Sequence, residues 1–115
     1  MTTMARTITV EGRDIALDPE GYLVSLADWT PAVAEALASE EGRALSAAHW
    51  EVLTVLRDFY QRYEAAPAMR PLVKAVRQAL GEEKGSSIYL MQLFPQSPAK
   101  VGARLAGLPK PTNCL

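Results

Sequence analysis

Cys114 is the only cysteine in this chain of 115 residues, and it is next to the last position. It closes the tail Gly107-Leu108-Pro109-Lys110-Pro111-Thr112-Asn113-Cys114-Leu115. Free cysteine is ordinarily a buried residue. Pro109 and Pro111 keep this segment out of helix and central strand. A thiol so placed is poor packing material, but it can enter another protein's active site. Its thiolate can attack the outer sulfur of a persulfide and then surrender that sulfur to a second acceptor. The plain alternative is an incidental surface cysteine. For sulfur transfer the reacting atom must visit two sites, and residues 108–115 extend up to ~25 Å. The prolines lower the entropy lost when such an arm docks. Lys110 offers a charge to an acidic partner, and Leu115 a small apolar anchor. A thiol of ordinary pKa, ~8.5, is only a few per cent thiolate at neutral pH. Local positive charge or the partner's site must therefore help.

Charge is distributed in a way that bears on this. Residues 1–64 hold five basic and eleven acidic side chains. Residues 65–115 hold Arg70, Lys74, Arg77, Lys84, Lys100, Arg104 and Lys110 against Glu82 and Glu83. The halves thus carry −6 and +5. One reading is a set of solvated helix faces. The sharper one is a basic surface whose field favours thiolate at Cys114 and steers acidic partners, opposed at close range by the carboxylate of Leu115. Arg70, Lys74 and Arg77 follow a broken helix pair, which loosely suits a helix-turn-helix contacting phosphates or guanines. The acidic first half opposes that, and direct nucleic-acid binding is not expected. His49 is the only histidine. No other residues stand at metal-ligand spacing around it, so it reads as a packing or helix-start residue. No metal or diffusible cofactor is expected, the intermediate being a covalent cysteine persulfide.

The elements that must position the tail are marked by caps and breakers. Thr7-Ile8-Thr9-Val10, the turn Glu11-Gly12 and Ile15-Ala16-Leu17 read as a β-hairpin. Thr30 caps a helix opened by Pro31 and stopped at Gly42. Ser46 caps a longer one running to about Ala65, with an apolar stripe at Trp50, Leu53, Leu56, Phe59 or Tyr60, and Tyr63. After Ala66-Pro67 a helix is expected to begin near Pro71 and end at Gly81. Ser86 or Ser87 caps a short helix through Leu93. Ser97-Pro98 opens the last one, which stops near Gly107. The expected class is α+β and mostly helical: an N-terminal hairpin, about five helices and a flexible C-terminal arm. Residues 1–107 form the expected globular domain and 108–115 the arm carrying the thiol.

Composition agrees with one ordinary domain: 49% hydrophobic and 22% charged. No apolar run approaches the ~18 residues of a membrane span. MTTMARTITV has no signal-peptide core, and a single cysteine suits a reducing compartment. A cytoplasmic protein is expected.

Several separated segments carry a resemblance. They are YLMQLFPQSPAKVGARLAGLPKPTNCL over 89–115, Gly21-Tyr22-Leu23 with Trp29, and His49-Trp50 with Leu56-Arg57-Asp58-Phe59-Tyr60. PAMRPLVK over 67–74 and Gly81-Glu82-Glu83-Lys84-Gly85 complete the set. Together they resemble the DsrC/TusE family of sulfur carriers along nearly the whole chain. The resemblance implies the DsrC-like fold and a persulfide on Cys114. Family members usually have glycine where Ser97 stands, and serine caps at least as well. DsrC proteins proper carry a second cysteine where Ala103 stands here. Alanine cannot resolve a persulfide into an internal disulfide or trisulfide, so the resemblance is to the single-cysteine, TusE-like branch. It implies a sulfurtransferase that accepts sulfur from a complex of TusBCD/DsrEFH type. The acceptor it implies is an MnmA-like tRNA thiouridylase making wobble 2-thiouridine. A single-cysteine carrier in sulfur oxidation remains as an alternative, as does a non-catalytic regulator of sulfur metabolism, either DNA-binding or competing with a two-cysteine relative.

With one thiol per chain, an oxidised pair must join two chains. Mild oxidation is expected to give a reducible dimer on non-reducing electrophoresis, absent from Cys114→Ser. A dimer in that variant would place the cross-link elsewhere.

Overall fold

The computed structural model describes residues 6–111. Strands β1 (Arg6–Val10) and β2 (Arg13–Leu17) pair antiparallel, with Ile8 opposite Ile15 and Val10 opposite Arg13. Glu11 and Gly12 connect them with φ of 51° and 79°. Two left-handed residues are what a tight hairpin turn needs to match strand twist. Val10, Ile15 and Leu17 turn inward. After β2 the Asp18 carboxylate accepts from the backbone N–H groups of Glu20 and Tyr22, both at 2.9 Å. A single 3₁₀ turn, Leu26–Asp28, then leads to Trp29.

Helix α1 (Pro31–Glu40) starts at Thr30, whose side chain accepts from Val33 N–H at 3.2 Å. Helix α2 (Ala47–Tyr63) starts at Ser46 with a reciprocal cap in which His49 takes the place usually held by Glu or Gln. The Ser46 N–H donates to His49 Nδ1 at 3.0 Å, so Nε2 carries the proton of the neutral ring. That nitrogen donates to the Leu93 carbonyl at 2.9 Å, and the ring meets Phe94 edge-on. His49 therefore works as a helix-start and packing residue.

The inward face of α2 is rotated from the expected stripe. Val52, Leu53, Val55 and Leu56 are buried, Trp50 and Phe59 only partly, and Tyr63 is 59% exposed. The helix packs against both α3 and α5, which calls for a broad face, and its last turn runs past the core. Helix α3 (Met69–Leu80) begins two residues before the expected Pro71. Pro71 is its third residue, where an N–H has no intrahelical acceptor anyway. The first intrahelical bond is Leu72 N–H to Ala68 C=O, 3.0 Å. Helices α4 (Ser87–Leu93) and α5 (Pro98–Leu105) start from side-chain caps at Ser86 and Ser97.

Helix α5 touches the other four helices. Its small residues make that possible: a Cβ on Gly102 would stand 2.8 Å from Leu56 Cδ1. The core does not stop where α5 stops. Leu108, assigned to the arm on sequence, is only 2% exposed and joins the core cluster, and Pro111 is buried too. The first residue of the expected arm thus packs as part of the core. Burying a leucine side chain stabilises by ~1.5–3 kcal/mol.

Two truncations separate core from tail. Deleting 112–115 removes none of the core described above and is expected to leave the unfolding temperature within ~2 °C. Deleting 108–115 also removes Leu108 and Pro111 and is expected to lower it by ~10 °C, since a lost buried leucine costs ~2–5 kcal/mol. Equal melting of both forms in a calorimetric scan would show that Leu108 does not stabilise the fold.

Candidate functional site

The tail leaves α5 through a fully bonded terminus. Gly107 has φ of 76°; its N–H donates to Arg104 C=O at 3.2 Å, while Leu108 N–H donates to Ala103 C=O at 2.9 Å. This is the Schellman pattern, a left-handed glycine followed by an apolar residue that packs back on the last turn. Ala106 N–H takes the Gly102 carbonyl at 2.8 Å. Two carbonyls remain, and two side chains from distant elements meet them. Trp29 Nε1–H donates to Leu105 C=O at 2.9 Å. The Arg57 guanidinium donates to Ala106 C=O at 2.7 Å.

These two side chains also hold each other. The Arg57 guanidinium carbon lies 3.8 Å from the centroid of a Trp29 ring, a cation–π stack. Burial pushes the Arg57 pKa down from its ordinary value, and a guanidinium still stays charged at neutral pH. Gly107 lies against the same indole: a Cβ there would fall 2.3 Å from Trp29 Cδ1. The base of the tail is thus fixed by a backbone motif, two hydrogen bonds and one position too tight for any side chain. Pro109 is half-buried and Pro111 buried, while the exposed Lys110 ammonium contacts the Glu20 carboxylate at 2.8 Å. Cys114 and Leu115 lie outside the described residues. The thiol residue is three residues beyond Pro111, within ~10 Å of it along an extended chain.

Comparison with known proteins identifies the family and the fold. Residues 9–115 match the family described as DsrC like protein. The chain belongs to that DsrC-like family. It is 52% identical over 105 residues to a protein of Pectobacterium atrosepticum named sulfurtransferase TusE, covering 91% of this chain and 96% of that one. It is 53% identical over 104 residues to the sulfurtransferase TusE of Sodalis glossinidius, covering 90% and 96%. The solution structure of Allochromatium vinosum DsrC superposes with a TM-score of 0.89 at 51% identity, over 97% of this chain and all of that one. The hairpin-plus-five-helix architecture is the DsrC fold.

Within that fold the basic residues expected around the tail are not one cluster. Arg104 pairs with Glu41, and desolvation in its half-buried place lowers its pKa. Lys84 pairs with Glu51 at 2.8 Å, and that hydrogen bond is the main cause raising its pKa. Arg77 donates to the Gly85 carbonyl at 3.0 and 3.2 Å. Arg70 and Lys74 stand exposed on α3, and the Lys100 carbonyl accepts from the Tyr22 hydroxyl at 3.3 Å. The acidic first half and basic second half pair with each other through Glu20–Lys110, Glu41–Arg104 and Glu51–Lys84. Arg104 and Lys110, the expected cations nearest the tail's base in sequence, each carry such a carboxylate, which weakens the expected positive field there. Ala103 is fully buried.

Trp29, Arg57 and Gly107 were not singled out on sequence as a unit. The available signal was a glycine followed by leucine just past a helix end. The partners of the free carbonyls come from elsewhere in the chain and leave no local trace.

The close approach of Gly107 to Trp29 can be isolated by comparing two glycines. Gly12 has φ of 79° with no atom within 4 Å of a would-be Cβ, so Gly12→Ala is expected to cost only the ~1 kcal/mol of left-handed backbone. Gly107→Ala carries that cost plus the clash and is expected to lose ~2–4 kcal/mol in denaturant titration. Equal losses would mean that the indole does not crowd Gly107.

Proposed function

We propose that this chain is a sulfurtransferase that carries sulfane sulfur as a persulfide on Cys114. The observation that carries the reading is the built terminus of α5. Trp29, Arg57 and Gly107 hold the root of a tail whose single thiol stands seven residues past Gly107. The names of the relatives, sulfurtransferase TusE, support it.

The Cys114 thiolate attacks the outer sulfur of a donor persulfide. A sulfur–sulfur bond forms at Cys114, the donor's sulfur–sulfur bond breaks, and the donor leaves as thiolate. In the second step an acceptor thiolate attacks the outer sulfur and Cys114 departs as thiolate. The sulfane sulfur is neither oxidised nor reduced across the relay, and no cofactor takes part. With Ala103 in place of a second thiol, the persulfide has no internal route to a disulfide. It persists until an acceptor takes it, which suits a relay.

The donor in this reading is a complex of TusBCD/DsrEFH type and the acceptor an MnmA-like thiouridylase making 2-thiouridine at the tRNA wobble position, in the cytoplasm. Among the described residues no helix is long and apolar enough to cross a membrane.

The test is mass spectrometry after incubation with a persulfidated donor protein. A gain of ~32 Da, one sulfur atom, is expected on the C-terminal peptide and not on Cys114→Ser. No gain on the wild type, or an equal gain on the variant, would end the carrier reading.

A further inference from the structure

A groove of about 490 Å³ runs between α2 and α3, on a side of α2 that does not include Arg57. Its floor is apolar: Val55 and Phe59 from α2, Ala75 and Ala79 from α3. Arg62 from α2 and Lys74 from α3 line it too. Tyr63 is part of the lining, its ring tilted at 50° to that of Phe59 with centroids 4.6 Å apart, and leaves 59% of its surface exposed. One carboxylate, Asp58, lines it as well.

The cations here differ from the five that are held in ion pairs, as Arg13, Arg57, Arg77 and Lys100 also do. Arg6, Arg43, Lys84, Arg104 and Lys110 each meet a carboxylate. Among the described residues, Arg62, Lys74 and the neighbouring Arg70 have no such ion pair. An exposed Tyr–Arg pair over an apolar floor is the composition of an interface centre, and cations without an ion pair call for carboxylates opposite. A furrow between two helices accepts the apolar face of a third.

We infer that the α2–α3 groove docks an amphipathic helix of a relay partner protein, its apolar side on Phe59 and Ala75 and its acidic flanks against Arg62 and Lys74. The inference rests on the reading that the chain passes sulfur between proteins, and it adds the surface where one of them binds. A polyanion such as RNA fits less well, because the apolar floor of Val55, Phe59, Ala75 and Ala79 offers nothing to phosphate. Helix α2 supplies both Arg57, which grips the arm's root, and one wall of the groove. A partner seated in the groove therefore rests on the helix that holds the tail at Ala106.

Two variants test this: the charge reversal Arg62→Glu/Lys74→Glu, and Ala79→Arg, which fills the exposed floor. Each is titrated by fluorescence anisotropy against the purified donor complex, the purified thiouridylase and a labelled single-stranded RNA. Circular dichroism melting serves as the folding control. At least a tenfold loss of affinity for one of the two proteins is expected in both variants. The salt dependence of the residual binding should be flatter for the charge reversal. If both variants bind both proteins as tightly as wild type does, the groove inference falls while the relay reading stands. Tight RNA binding that the charge reversal abolishes also overturns it, in favour of a nucleic-acid groove. If wild type binds neither protein, the relay reading and the groove inference fall together.

Discussion

Two carbonyl groups at the end of α5 set the rest of the arrangement. Leu105 and Ala106 are fully buried, and their C=O groups lie beyond what the helix and its Schellman cap can satisfy. An unmet buried acceptor costs ~1–3 kcal/mol. The chain meets both with donors from far away in sequence, the Trp29 indole and the Arg57 guanidinium. Those donors can be present only if the segment after the hairpin and helix α2 sit correctly against α5. The requirement to bond two carbonyls thus ties the N-terminal third, the long helix and the root of the tail to one geometry. The cation–π stack makes the two donors mutually dependent.

The same tying explains the charge pattern. A chain whose halves carry −6 and +5 suggests at first a field aimed at a partner. In the folded protein much of that asymmetry is spent on internal pairing, with Glu20, Glu41 and Glu51 from one half opposite Lys110, Arg104 and Lys84 from the other. Exposed pairs of this kind stabilise weakly, by ~0–1 kcal/mol. Their consequence is electrostatic: they cancel charge near Arg104 and Lys110. Among the described residues, the cations without a carboxylate partner include Arg62 at the end of α2 and Arg70 and Lys74 on α3.

What the sequence showed and what it hid divide along a physical line. Caps, stops and turns are local, and they were legible: Glu11-Gly12, Thr30-Pro31, Ser46, Gly81 and Ser97-Pro98 all act in the structure as residue chemistry predicts. The start of α3 was misjudged because Pro71 was weighed as a breaker, although a third helical position has no hydrogen bond to lose. The face of α2 was misjudged because periodicity locates a stripe only to within about a turn, and here two neighbours, α3 and α5, share it. Leu108 was read as arm because two prolines surround the residues after it. Its burial depends on the Gly107 turn, which sends the chain back over α5. The Trp29–Arg57 clamp is tertiary throughout. His49 was legible as a helix-start residue, but not as the proton donor to Leu93.

The tail's anchoring also constrains how a carrier of this kind can work. Transfer between two proteins requires the Cys114 sulfur to enter two different sites. The part of the tail nearest the domain is held by unequal contacts. Burial of the Leu108 side chain is worth ~1.5–3 kcal/mol, whereas the exposed Lys110–Glu20 pair is worth ~0–1 kcal/mol. A docking partner can readily take Lys110 from Glu20 with a carboxylate of its own. Drawing Leu108 out of the core would cost much of what docking gains. What docking can release therefore begins after Leu108, at Pro109, and includes the buried Pro111 as well as the Lys110–Glu20 pair. From Leu108 to Cys114 is six residues, a reach of ~20 Å. Any donor or acceptor must bring its reacting sulfur inside that radius of the Trp29–Arg57 clamp. Chain length alone sets this bound, and in the relay reading the rest of the approach comes from how the partners dock on the domain.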